Sequence, residues 1–199
     1  MWWPGQHSRT NAPAGPPELQ RVAPRPPTKP RPDPESLRRW FSSVDKDCSG
    51  RISAPELQAS LSDGGMNFSL STVAAIIRQC DSSGSGTIDL ADFEKLHTFL
   101  DSVQEEFDGL PKDKEGRARI SEVVRHLTAK GYDLEPDVQR VIFSRFDPTR
   151  CGSLGLQEYL ALTLFLRAAT TTFRAFDPQS RGSVTLNFPQ FLYAAVNSI

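Results

Sequence analysis

"DKDCSGRISAPE", Asp45 to Glu56, is the stretch that decides how this chain is read. Asp45, Asp47, Ser49 and Glu56 stand at positions 1, 3, 5 and 12 of twelve residues, with Gly50 at position 6. Crowding like charges in this way is costly unless a cation sits among them. The stretch follows a helical face, since Leu37, Trp40, Phe41 and Val44 recur at i, i+3, i+4 and i+7. Helical spacing resumes beyond it at Leu57 and Leu61. The unit is helix, acidic loop, helix.

The unit recurs. "DSSGSGTIDLAD" (Asp81 to Asp92), "DPTRCGSLGLQE" (Asp147 to Glu158) and "DPQSRGSVTLNF" (Asp177 to Phe188) each have Asp at 1, Gly at 6 and Ile, Leu or Val at 8. A further copy, "PKDKEGRARISE" (Pro111 to Glu122), keeps Gly116 and Glu122 but has Pro at 1 and Ala118 at 8. Loops therefore start at 45, 81, 111, 147 and 177. The shorter intervals leave room for one helix only. Loops two and three should share a helix over roughly 91–107, and loops four and five one over 156–176. Turn signals at 62–65 and 130–137 fill the longer intervals. The fold class expected is all-α: five helix–loop–helix units with loops 1-2 and 3-4 paired.

Ca²⁺ takes six to eight oxygens, which this loop spacing can supply. In loop one these are Asp45, Asp47, Ser49, the carbonyl of Arg51, Ser53 through water, and Glu56. Gly50 allows the sharp turn between them. Loop two offers Asp81, Ser83, Ser85, the carbonyl of Thr87, Asp89 and Asp92. Asp92 is one methylene shorter than Glu, so this site is expected to hold Ca²⁺ more weakly or to be open to Mg²⁺. Loop three leaves two readings: a distorted site with Asp113, Glu115, Glu122 and a displaced Asp108, or a purely structural loop. Loop four, with Thr149 and Cys151 at 3 and 5, and loop five, with Gln179, Arg181 and Phe188 at 3, 5 and 12, look empty.

Composition bounds the rest. Net charge is −1, with 23 basic and 24 acidic side chains, which gives no support to nucleic-acid binding. Three scattered cysteines, Cys48, Cys80 and Cys151, favour a reduced, cytoplasmic setting. No signal-peptide core develops in "MWWPGQHSRT". The most apolar run, Tyr159 to Ala169, is too short to span a bilayer. Residues 1–34 hold 10 of the 16 prolines, including the PxxP of Pro27 and Pro30, and read as a disordered or polyproline tail before a folded domain over 35–199. His7, His97 and His126 neighbour no nucleophile in a recognisable motif, so no enzymatic activity is expected.

Pairing leaves the fifth unit without a partner. Its last helix carries Phe188, Phe191, Leu192, Ala195, Val196 and Ile199, a broad apolar face that the same unit of a second chain would cover. The five loops, their alternating spacing, "AKGYDLEPD" after loop three and the "FLYAAVNSI" ending resemble the penta-EF-hand calcium-binding family over residues 35–199. The resemblance implies an all-α domain, dimerisation through the fifth EF-hand with itself or a related EF-hand protein, and Ca²⁺-dependent exposure of apolar surface. Partner proteins or membranes would be recruited to that surface, as in a calcium sensor or adaptor. Two other readings are a regulatory subunit of a calpain-like protease and a calcium-stabilised structural dimer.

Overall fold

A computed structural model describes residues 33–197. The PxxP segment, His7 and Ile199 lie outside the described residues. The first helix, α1 (Pro34–Val44), begins one residue before the boundary expected from composition. Asp33 caps it, accepting the backbone N–H groups of Glu35 and Ser36, and Pro34 fits the first turn, where no N–H partner is needed. Leu37, Phe41 and Val44 are buried as their spacing predicts. Trp40, at the edge of that face, is half exposed and stacks on His97 at 5.2 Å.

Loop one leads to α2 (Ala54–Asp63), and a turn at Gly64 and Gly65 leads to α3 (Leu70–Cys80). Helix α4 (Leu90–Asp108) is the expected shared helix between loops two and three. Strand β1 (Ala118–Arg119) precedes α5 (Ile120–Ala129) and α6 (Pro136–Phe146). Strand β2 (Ser153–Leu154) precedes the second shared helix, α7 (Leu156–Phe176), and then α8 (Phe188–Asn197). The described residues are predominantly α-helical, and their strand content is confined to the loop pairings.

Those pairings hold the units together. Ile52 and Ile88 exchange backbone bonds of 2.8 and 3.0 Å between loops one and two. In the second pair β1 and β2 run antiparallel, with Ala118 opposite Leu154. Ala118 therefore does the work of the branched residue at position 8 although it is small; it is fully buried. Behind the loops, one core runs from Leu37 to Leu166, with Ile52, Ile76, Ile88, Leu96, Leu154, Tyr159 and Leu162 almost wholly enclosed. Helices α3 and α4 both pack on α7, which joins the two loop pairs into one body.

Helix α8 differs from the rest. It packs on α7, with Tyr193 edge-on to Phe176 at 6.1 Å, but none of its residues is buried. Phe188, Phe191, Leu192, Tyr193 and Val196 stand exposed. Of the face singled out in the sequence, Phe188, Phe191, Leu192 and Val196 are left exposed by the packing of α8 on α7.

Candidate metal centre

Loop one hangs between the end of α1 and the start of α2, and its backbone brings its carboxylates to one point. Asp45 is buried at the end of α1 and accepts the N–H groups of Ser49 at 3.0 Å and Gly50 at 2.8 Å. Gly50 has φ +78°, a left-handed conformation that a side chain would strain. Asp47 accepts the same Ser49 N–H at 3.0 Å. Glu56, in the first turn of α2, accepts from Lys46 N at 2.9 Å and from Ser53 N and Oγ at 2.9 and 2.6 Å. One carboxylate oxygen each from Asp45, Asp47 and Glu56 lies within 4.8 Å of the others. Among the described residues, this is the group of three or more metal-ligating side chains that converges.

Hydrogen bonds from Ser49 hold Asp47 below the ordinary carboxylate range, and those from Ser53 do the same for Glu56. These two groups are therefore ionised at neutral pH. Three converged carboxylates suit a hard divalent cation. Ser49 Oγ donates to the carbonyl of Arg51 at 2.9 Å, so the expected fifth and seventh ligands are adjacent.

Loop two is built the same way but filled differently. Asp81 accepts from Gly86 N at 2.7 Å and from Ser83 N and Oγ at 3.1 and 2.9 Å. Asp89 is the N-cap of α4 and accepts from Asp92 N at 2.9 Å. The oxygens of Ser83, Ser85 and Thr87 face a guanidinium. Arg51 reaches across from loop one and donates to Thr87 Oγ1 at 2.6 Å, Ser85 Oγ at 2.6 Å, Ser83 Oγ at 3.1 Å and the Thr87 carbonyl at 3.2 Å. Asp92, almost fully enclosed, accepts through Oδ1 from Ser82 Oγ at 2.8 Å and Lys95 at 2.9 Å, while its buried Oδ2 has no partner. As the loop stands, its donor set does not fit a metal, because an internal cation already takes the oxygens at positions 3, 5 and 7.

Loop three does not gather its acids. Asp113 turns its carboxylate onto the N–H groups of Glu115 and Arg117, each at 2.9 Å, in a tight hairpin. Asp108, the last residue of α4, is exposed and held by Gln104 at 3.0 Å and by Lys112 at 3.5 Å. Glu122 pairs with Arg125 at 2.6 Å. The loops also differ in backbone. Cys48, Gly84, Arg150 and Ser180, at position 4 of the other four loops, are left-handed, and Lys114 is not.

Loop four repeats the arrangement of loop two. Arg117 donates to Ser153 Oγ at 3.0 Å, to the Ser153 carbonyl at 2.7 Å and to Cys151 Sγ at 3.4 Å, and lies 3.8 Å from Glu158. Sequence reading missed Arg51 and Arg117 as side chains. The signal was present: both occupy position 7 of an odd-numbered loop, 36 residues ahead of a Thr or Ser at position 7 of its partner.

Paired helix–loop–helix units joined by a short strand, with a three-carboxylate centre in the first, define an EF-hand protein. Comparison with known proteins agrees. The model of the EF-hand domain pair matches residues 34–98. Sorcin of Schistosoma japonicum is 34% identical over 164 residues, which cover 82% of this chain and 95% of that protein. Peflin of Homo sapiens is 31% identical over 165 residues, 82% of this chain and 58% of that protein. The chain thus spans about three-fifths of the length of the peflins it matches. The solved structure of a homolog of programmed cell death 6 protein from Leishmania major Friedlin superposes with a TM-score of 0.61 and 35% identity, covering 82% of this chain and 94% of that one. The chain belongs to the penta-EF-hand calcium-binding family.

Proposed function

We propose that this protein is a calcium-responsive adaptor whose metal is held by the first loop. The observation that carries the proposal is the convergence of Asp45, Asp47 and Glu56 within 4.8 Å. Asp45, Asp47, Ser49, the Arg51 carbonyl and Glu56 would hold the ion, with Ser53 at the ninth position. A bound Ca²⁺ would supply the positive charge that offsets the crowding of three carboxylates. Glu56 links the centre to the helices: it sits in the first turn of α2, and α2 packs on α3.

Two surfaces support recruitment. A groove of about 730 Å³ opens between α3, α6, α7 and α8, lined by Ala74, Ala75, Phe146, Leu164, Phe165 and Tyr193. It suits an apolar peptide segment. The exposed face of α8 suits the same helix of a second copy. No helix among the described residues is long and apolar enough to cross a membrane.

Calorimetric titration with Ca²⁺, paired with sizing of the chain, tests the reading. Wild type should bind calcium, the Glu56→Gln chain should lose that binding, and both should run as dimers. Identical titrations of the two chains would overturn the assignment of the metal to loop one.

A further inference from the structure

We propose that Arg51 is the resident cation of the second loop: its guanidinium stands where a metal would, and the loop is a divalent-cation site kept latent by that one side chain. The inference goes beyond the assignment of the metal to loop one and rests on different residues.

Three observations carry it. The first is geometry: the guanidinium forms four hydrogen bonds, to Ser83 Oγ, Ser85 Oγ, Thr87 Oγ1 and the Thr87 carbonyl, at 2.6 to 3.2 Å. Those oxygens include the ones an EF-hand offers a metal at positions 3, 5 and 7. Nε and Nη2, on one edge of the planar fork, hold all four oxygens, with the hydrogens of Nη2 shared among three of them. The second is the floor of the loop. Asp92, at position 12, is almost fully enclosed, and its Oδ2 is buried with no hydrogen-bond partner. Lys95 and Ser82 bond only its Oδ1, and Arg51 bonds neither oxygen, so Oδ2 is left open to a further cation or donor. The third is repetition. Arg117 makes the same reach from loop three into loop four, bonding the Ser153 hydroxyl and carbonyl. The same solution thus occurs in both pairs, at the same position in the loop.

The arrangement also ties the two loops of the first pair together. The Arg51 carbonyl belongs to the donor set of loop one, while its side chain lies in loop two. The next residue, Ile52, is bonded to Ile88 in both directions. Loop two is thereby held in shape by the protein itself, and Arg51 is part of both loops.

Ca²⁺ alone, titrated by calorimetry into chelator-treated full-length chains, tests this. The Glu56→Gln chain silences loop one and is the baseline. Adding Arg51→Met should restore binding of one ion, and adding Asp81→Asn to that chain should remove it again. Arg51→Ala, which also removes the guanidinium and its charge, serves if the methionine chain does not fold, as read by circular dichroism; it should open the same site. If the folded Arg51 variants in the Glu56→Gln background bind no calcium at millimolar concentration, the proposal fails. It also fails if Glu56→Gln alone retains an ion that Asp81→Asn removes, since loop two would then take metal with Arg51 in place. Failure of the loop-one assignment has a separate signature: wild type and Glu56→Gln would titrate alike, whatever the Arg51 variants do.

Discussion

The two loop pairs share a scaffold and differ in what it carries. In both, residues at position 8 join the loops, and an arginine at position 7 of the odd loop fills the even one. In the first pair the odd loop also gathers three carboxylates. In the second it spends them elsewhere: Asp113 on backbone amides, Glu122 on Arg125, Asp108 on Lys112 and Gln104. Pairing and the arginine bridge are thus separable from metal binding. The protein keeps the first two in both halves and gathers three carboxylates in one.

The comparison can be broken at the strand. Ile88→Ala removes a fully buried side chain from the first pair and should cost about 3 kcal/mol in urea denaturation. Leu154→Ala should cost a similar amount in the second, because both face the same kind of core. A large asymmetry between them would mean the pairs are not equivalent scaffolds. The next test separates them by chemistry. Glu56→Gln should abolish Ca²⁺ binding at the first loop up to millimolar ion, since EF-hand affinity follows ligand charge, whereas Glu122→Gln should leave the calorimetric titration unchanged.

A third test uses pH. Glu106, on α4, is pushed up by burial, but His126, Lys130 and Tyr159 outweigh that and hold its pKa at about 2. Tyr159 Oη donates to it at 3.2 Å, and Lys130 pairs with it. The folded pKa lies below the unfolded one, so its contribution is present above the ordinary value of 4.5 and is lost as pH falls toward 2. Glu106→Gln should lower stability by on the order of 2 kcal/mol at pH 7. The gap from wild type should close on acidification through that window, as followed by thermal melting. Smallest is Arg117→Met. It removes the second arginine bridge and should cost about 1 kcal/mol. It should admit no calcium at millimolar concentration, because Thr149 and Cys151 at positions 3 and 5 of loop four leave a poor oxygen set.

Much of this was legible in the sequence because it is local and periodic. The spacing of Asp, Gly and branched residues gave five loops, and the alternating intervals gave α4 and α7 to within a residue or so at each end. Ala118 was harder to read: its role depends on Leu154 lying opposite, and residue type alone does not reveal a partner. Loop two was the main gap. A list of oxygens at the right positions says what a loop could hold, and a cation delivered from 36 residues away is invisible to that list. Trp40 taught the converse, since a large residue at the edge of an apolar face found a histidine ring at the surface instead of the interior.

Helix α4 has 19 residues, a length of about 28 Å at 1.5 Å each, and Leu90 to Asp108 includes neither proline nor glycine. Asp92 sits in its first turn under the second loop, and Glu106 in its last, clasped by Lys130 and Tyr159. The two halves of the molecule therefore share one uninterrupted strut, which closes a loop of the first pair at one end and is fastened to the second pair at the other.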